Sequence, residues 1–292
     1  ARTRLRYASA CLVTFHVTTV EQGGSKFNMT SEWHIPDAAV SVRQGDLLIC
    51  RNPHERRFRE ICLVITADCD ISKGKFGRQL ACLRVMLLHD YLRTIWAARK
   101  LQQAKAKEAH QIWSMIVKWH SRYIGADSSL TMEAASDWVK RVAPDVICRE
   151  LQVPEEHVNK MEASLTAFRS ALFAVSQPDN DEFSQLVAFL SAIQGKDCSQ
   201  EVAKRVQNEA KSGLPIDVFL LPTLPQYDTG PVVVLLREIV AVPHEAVCYR
   251  ACDAISEQQF LRLGRLEPTF KYAVNGVRWL HRYANNNGLS WA

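Results

Sequence analysis

No stretch of this 292-residue chain offers eighteen uninterrupted apolar residues, so no membrane-spanning helix is expected. Residues 1–10 carry three arginines but no continuous apolar segment, so no secretory leader is expected there. No pair of the nine cysteines has C-x-x-C spacing, and their number is odd, which argues against a disulfide framework. Several of them lie inside apolar runs, where a thiol behaves as a small buried hydrophobe. A reducing, cytoplasmic setting is the expectation. No internal repeat, low-complexity tract or established catalytic signature is present either.

What remains is the composition of an ordinary globular protein, 47% hydrophobic and 23% charged, long enough for one elaborated domain or two. Charge is unevenly placed. Residues 1–88 hold 13 Lys/Arg against 8 Asp/Glu, whereas residues 89–292 hold 23 of each. The positive excess therefore lies in the N-terminal third, densest from Arg51 to Arg59. Such a loop has the charge to contact phosphates, and Arg51, Arg56, Arg57 and Arg59 are the candidate nucleic-acid contacts.

Three short apolar runs at 42–50, 60–67 and 80–88 are separated by turn material, which predicts antiparallel strands. An earlier pair is expected at 10–20 and 27–34. From 90 to 123 the chain is almost free of Gly and Pro. Leu92, Ile95, Trp96, Ile112, Trp113, Ile116 and Trp119 recur there at helical intervals. That spacing predicts one long helix, or an antiparallel pair broken near 101–110, with the tryptophans in its core. Further helices are expected at 131–142, 154–176, 181–193 and 199–211, with Asp179, Asp181 and Ser199 as N-caps. Pro144, Pro154 and Pro178 mark breaks. Strand character returns at 216–221, 231–242 and 246–251, and a last amphipathic helix is expected at about 267–283. Strands that resume after helices predict an α+β fold. In it, 1–88 begins a small β-barrel, 89–212 is a helical insertion lobe, and 213–292 adds the completing strands and a terminal helix.

The densest cluster of reactive side chains is Asp68-Cys69-Asp70, where an apolar run ends abruptly. Read as a strand end, it sends Asp68 and Asp70 to one side and Cys69 to the other. The two carboxylates are candidate ligands for a divalent cation, with His54 or Cys50 as a third. The alternative is a structural turn in which Asp70 accepts backbone N–H groups of residues 72–75. Flanking carboxylates disfavour Cys69 as a thiolate nucleophile. His54 with the neighbouring arginines has the inventory of a metal-independent ribonuclease: a proton-transfer group and phosphate clamps.

Arg43-Gln44-Gly45-Asp46-Leu47-Leu48, then Arg59 and Leu63-Val64-Ile65 ending at Asp68, resembles the PemK/MazF class of small barrels. The resemblance implies an SH3-like barrel, often dimeric, that cleaves single-stranded RNA, with Arg59 as its catalytic arginine. The chain departs from that class at Glu60, where the class has proline. It departs again at Val85-Met86-Leu87-Leu88, where the class has Thr or Ser. Gly45-Asp46-Leu47, Asp68-Cys69-Asp70 and residues 283–289 also resemble uncharacterised bacterial proteins. Those look like accessory components of stress or antiphage gene clusters. The missing Thr or Ser argues against active ribonuclease chemistry and the incomplete ligand set against a metal nuclease, so the expectation is a non-catalytic component of a bacterial assembly whose basic barrel face binds nucleic acid or an acidic partner protein. The enzyme alternative is a PemK/MazF-like or metal-dependent nuclease using Arg59, His54 and Asp70. No cofactor is expected beyond a divalent cation held by Asp68 and Asp70.

Overall fold

The computed structural model describes residues 33–51, 58–124, 130–176, 181–212, 215, 217–221, 223–225, 227, 229–249 and 259–268. The expected strand at 10–20, most of that at 27–34, all but the first two residues of the terminal helix and the N-cap Asp179 lie outside the described residues.

The chain is mixed α/β. Strands β1 (Trp33–His34), β2 (Asp46–Arg51) and β3 (Phe58–Val64) lead to a one-turn helix α1 (Asp68–Ser72) and then β4 (Gln79–Leu87). Helix α2 (Leu88–Tyr91) runs through a π-helical turn at Leu92–Trp96 into α3 (Ala97–Ile124). Helices α4 (Met132–Arg141), α5 (Pro144–Glu150), α6 (Glu155–Ala174), α7 (Glu182–Gln194) and α8 (Ser199–Ser212) follow. The sheet then resumes with β5 (Val218–Leu221), β6 (Val232–Pro243), β7 (Val247–Cys248) and β8 (Phe260–Leu266). Of the two arrangements open for 90–123, the single long helix is the one observed.

Strand order is β1-β8-β2-β3-β4-β6-β5, with β7 added beside β8. All pairings are antiparallel except β7 with β8. β6 pairs with β4 along its length, so strands on either side of the helical segment meet in one sheet. Where a small barrel is expected, the described residues form an open sheet in which no ladder joins edge strands β1 and β5. Among the described residues β1 pairs through Trp33 and His34, both with β8. The edges nevertheless curl toward each other. Trp33 Nε1 donates to the Thr223 carbonyl at 2.9 Å, just beyond β5. Gly264 of β8 comes so close to Pro225 that a Cβ there would sit 2.8 Å from the proline ring. A bulge in β6 opposite Leu83 and Arg84 supplies part of the bend.

Side-chain alternation explains why these strands read as continuous apolar runs: both faces are covered. Leu47, Ile49, Ile61, Leu63, Leu83, Val85, Val232 and Val234 fill the inside of the curl. Leu48, Cys62, Val64, Leu80, Cys82 and Val242 face outward under Ile71 and Phe76. Farther along β6, Val233 and Leu235 join the helical core with Ile116, Phe168 and Phe189. Each such aliphatic side chain contributes about 1.5–3 kcal/mol by leaving water. Trp96 and Trp119 are buried, as their helical spacing predicts.

The helices start where capping chemistry allows. Thr131 accepts the Ala134 N–H at 3.2 Å to open α4. Asp181 accepts the Ser184 N–H at 2.8 Å to open α7 and also pairs with Arg93 of the π turn. Burial pushes the Asp181 carboxyl up, but Ser184 and Arg93 together bring it below the usual range. At α8 the capping carboxylate is Asp197, which accepts both the N–H and the hydroxyl of Ser199. Ser199 is thus the capped residue rather than the cap. No helix among the described residues is long and apolar enough to cross a membrane.

Candidate functional site

The Asp-Cys-Asp cluster is not a strand end. β3 stops at Val64, and Asp68, Cys69 and Asp70 form the first turn of α1. Successive side chains therefore fan out at about 100° instead of alternating. Ala67 and Cys69 carbonyls accept the Asp70, Ile71 and Lys73 N–H groups, which is one helical turn closing on itself.

Asp68 Oδ1 accepts the Gln44 N–H at 2.8 Å, and Gln44 Nε2 donates to the Ile65 carbonyl at 3.1 Å. These bonds fasten the segment before β2 to the segment after β3. Asp70 is half-buried, and its carboxylate meets the Cys69 thiol at 3.7 Å. The Lys75 N–H goes to the Asp70 backbone carbonyl at 2.8 Å, not to its side chain. The expected turn capped by the Asp70 side chain is therefore closed by the Asp70 main chain.

From α1 the chain reaches β4 through Lys73-Gly74-Lys75-Phe76-Gly77-Arg78. Gly74 and Gly77 take positive φ, as does Arg78 at 62°. For a residue with a Cβ that conformation costs roughly 1–2 kcal/mol. It is held by the His244 N–H, which donates to the Arg78 carbonyl at 2.9 Å. Phe76 turns inward onto the His244 ring, 5.3 Å away. Lys73, Lys75 and Arg78 are left exposed.

The candidate residues do not converge. Arg59 is exposed near the start of β3, and the strand register places it at the Leu87 end of β4, where α2 begins. From Arg59 to Val64 the strand advances about 17 Å at about 3.3 Å per residue, and Asp70 lies beyond that. Arg59 and Asp70 therefore cannot share one catalytic centre. Cys50 is buried and paired with Glu60, at the Arg59 end as well. That removes it as a third ligand beside Asp68 and Asp70. His54, Arg56, Arg57 and the Arg51 side chain lie outside the described residues. Among the described residues no group of three or more His, Cys, Asp or Glu is placed to hold a metal ion.

Sequence reasoning missed the most heavily bonded polar cluster. Asp46, fully buried, takes the Arg265 guanidinium on both oxygens, with Nη2 to Oδ2 at 2.9 Å, and lies 3.7 Å from Arg262 Nη1. Arg262 also donates to the Val40 and Asp37 carbonyls, at 2.6 and 2.7 Å, and stacks on Tyr249. Burial lowers the Arg262 guanidinium from its ordinary value, and Asp46 opposes that shift. Every one of these contacts is internal, so the Gly45-Asp46 signature is a fold element. Tyr91 Oη and Trp96 Nε1 are also buried, without hydrogen-bond partners among the described residues. Both atoms are shut off from water, so no room for a ligand adjoins them.

No family model, curated protein or solved structure matches the chain.

Thiol reactivity follows from this placement. Burial, with Glu60 adding to it, pushes the Cys82 thiol up to about 12, and burial drives Cys62 up as well. Cys50, Cys148, Cys198 and Cys248 are buried too, whereas Cys69 is exposed. Brief maleimide treatment of the native protein, read by peptide mass mapping, is expected to modify Cys69 before those six. Equal labelling of Cys62 or Cys82 under native conditions would contradict the packing of the sheet.

Proposed function

We propose that this chain is a non-catalytic, cytoplasmic component of a bacterial stress or antiphage-defence assembly. Its basic face around Arg51, Arg56, Arg57 and Arg59 binds nucleic acid and joins it to other protein subunits. The observation that carries this reading is Arg59, which is exposed and makes no ion pair with any described residue. It stands in the third of the chain that holds all the net positive charge. A guanidinium exposed to water is available to a phosphate.

The reading takes the curled sheet as an SH3-like barrel. Residues 1–88 and 213–292 are its two halves, and 89–212 is the inserted lobe. The β4–β6 pairing and the Trp33–Thr223 bond across the sheet edges support that assignment. The separation of Arg59 from Asp70 along β3 weighs against the nuclease alternative.

The test is anisotropy with labelled single-stranded and double-stranded RNA and DNA, followed by gel analysis with EDTA or manganese added. Binding without cleavage is expected. Arg59→Ala is expected to flatten the log–log salt dependence by about 0.9 on duplex, or about 0.7 on a single strand. Cleavage abolished by Arg59→Ala or Asp70→Ala would overturn the reading. So would failure to bind any nucleic acid at low salt together with capture of an acidic protein partner.

A further inference from the structure

We propose a second phosphate-binding site at the opposite end of the sheet. There Arg43, Lys73, Lys75 and Arg78 grip the backbone of duplex nucleic acid without reading its sequence. This inference rests on the nucleic-acid reading above but uses different residues, so the two fail separately.

The fold collects these cations. Lys73, Lys75 and Arg78 occupy one six-residue connection between α1 and β4. Arg43 precedes Gln44, whose N–H bonds Asp68 at the start of α1. All four side chains are exposed, and none makes an ion pair with a described residue. The connection is not slack. Phe76 is packed against His244, the Gly74 N–H bonds the Ile71 carbonyl at 3.1 Å, and His244 holds the Arg78 carbonyl. Three cations thus project from an anchored turn, which lowers the ordering cost of binding.

Nearby acids set the strength of the site. Glu245 is exposed beside His244, and Asp68 and Asp70 are half-buried behind the turn. Asp68 also accepts the Gln44 N–H and so helps hold the fold, which leaves Asp70 as the carboxylate that can be neutralised without breaking that bond.

The chemistry favours a duplex over a single strand. Single-strand binders pair a basic groove with aromatic rings on which bases stack. Here the turn's one aromatic, Phe76, faces inward, which leaves only charge to offer. Charge alone favours the ligand with denser phosphates, and duplex DNA carries one negative charge per about 1.7 Å of axis. With no base contacts, the site is insensitive to sequence.

The experiment measures anisotropy of labelled 20-base-pair DNA and RNA duplexes, and of their separate strands, in 50 and 200 mM salt. The triple variant Lys73→Ala/Lys75→Ala/Arg78→Ala is expected to bind duplex at least tenfold more weakly in 50 mM salt. Its salt slope should fall by up to about 2.7, near 0.9 for each cation removed. Asp70→Asn is expected to tighten duplex binding, since it removes the opposing charge. Shuffling the duplex sequence should change nothing, and unchanged thermal melts will show that the variants are folded.

Wild-type affinity and salt slope in the triple variant, with the slope still flattened in Arg59→Ala, would sink this site and leave the earlier reading standing. Single strands bound as tightly as duplex would sink the duplex assignment alone. Absence of any binding would sink both.

Discussion

Asp46→Ala is expected to lower the unfolding free energy by about 3–5 kcal/mol, the usual consequence of stripping one partner from a buried ion pair. Asp46 is fully buried, and the side chains of Arg262 and Arg265 are 2% and 12% exposed. Removing the carboxylate leaves two guanidinium groups facing each other with no compensating charge. It also frees the Arg43 N–H, which bonds Asp46 Oδ2 at 2.9 Å. The loss should appear as a lower urea midpoint with an unchanged slope, because the surface exposed on unfolding is the same. Arg84→Ala is the contrast. Arg84 meets Glu238 at 3.3 Å with both side chains near half-exposed, so its removal should cost less than about 1 kcal/mol. An Asp46 variant no less stable than the Arg84 variant would mean that the cluster is solvated and does not hold β2 to β8.

The same cluster shows where the sequence was opaque. β8 was not foreseen, because Arg262, Gly264 and Arg265 interrupt its apolar pattern. Each exception has a tertiary cause 200 residues or more upstream, or across the sheet. The arginines reach back to Asp46 and the 37–41 carbonyls, and the glycine admits Pro225. Single-sequence periodicity carries no record of such distant partners. β2, β3, β4 and β6 were legible because burial on both faces leaves uninterrupted runs of Leu, Ile, Val and Cys. α4, α6, α7 and α8 were legible from periodicity bounded by caps and prolines.

α5 was missed for the opposite reason. Pro144 suggests a break, yet proline is well suited to the first turn of a helix, where its absent N–H is not needed. For the candidate residues, types were visible but placement was not. Asp68–Asp70 and Arg59 are only nine to eleven positions apart, and a straight strand turns that proximity into separation. In sequence the turn at 73–78 shows only as glycine-containing turn material, because the packing of Phe76 on His244 that leaves Lys73, Lys75 and Arg78 exposed is a tertiary contact.

Phe189→Ala is expected to cost about 3–5 kcal/mol, the range for deleting a buried aromatic ring. Phe189 of α7 is fully buried in the core built from Ile112, Ile116, Leu165, Phe168 and Leu186. More depends on this variant than its size, because the helical core is not closed off from the sheet. It includes Val233 and Leu235 of β6, while Val232, Val234 and Leu236 of the same strand line the inside of the curl. One strand therefore belongs to both cores, and Arg99 of α3 pairs with Asp217 beside β5 at 3.3 Å. Damage in the lobe should be felt in the sheet as a single transition. Two probes can be followed through a urea titration: far-UV circular dichroism for the helices, and maleimide protection of Cys82 for the sheet. In Phe189→Ala both midpoints should fall together. A helical midpoint that drops while Cys82 stays protected would show instead that the lobe unfolds alone, and that β6 alone does not couple the two cores.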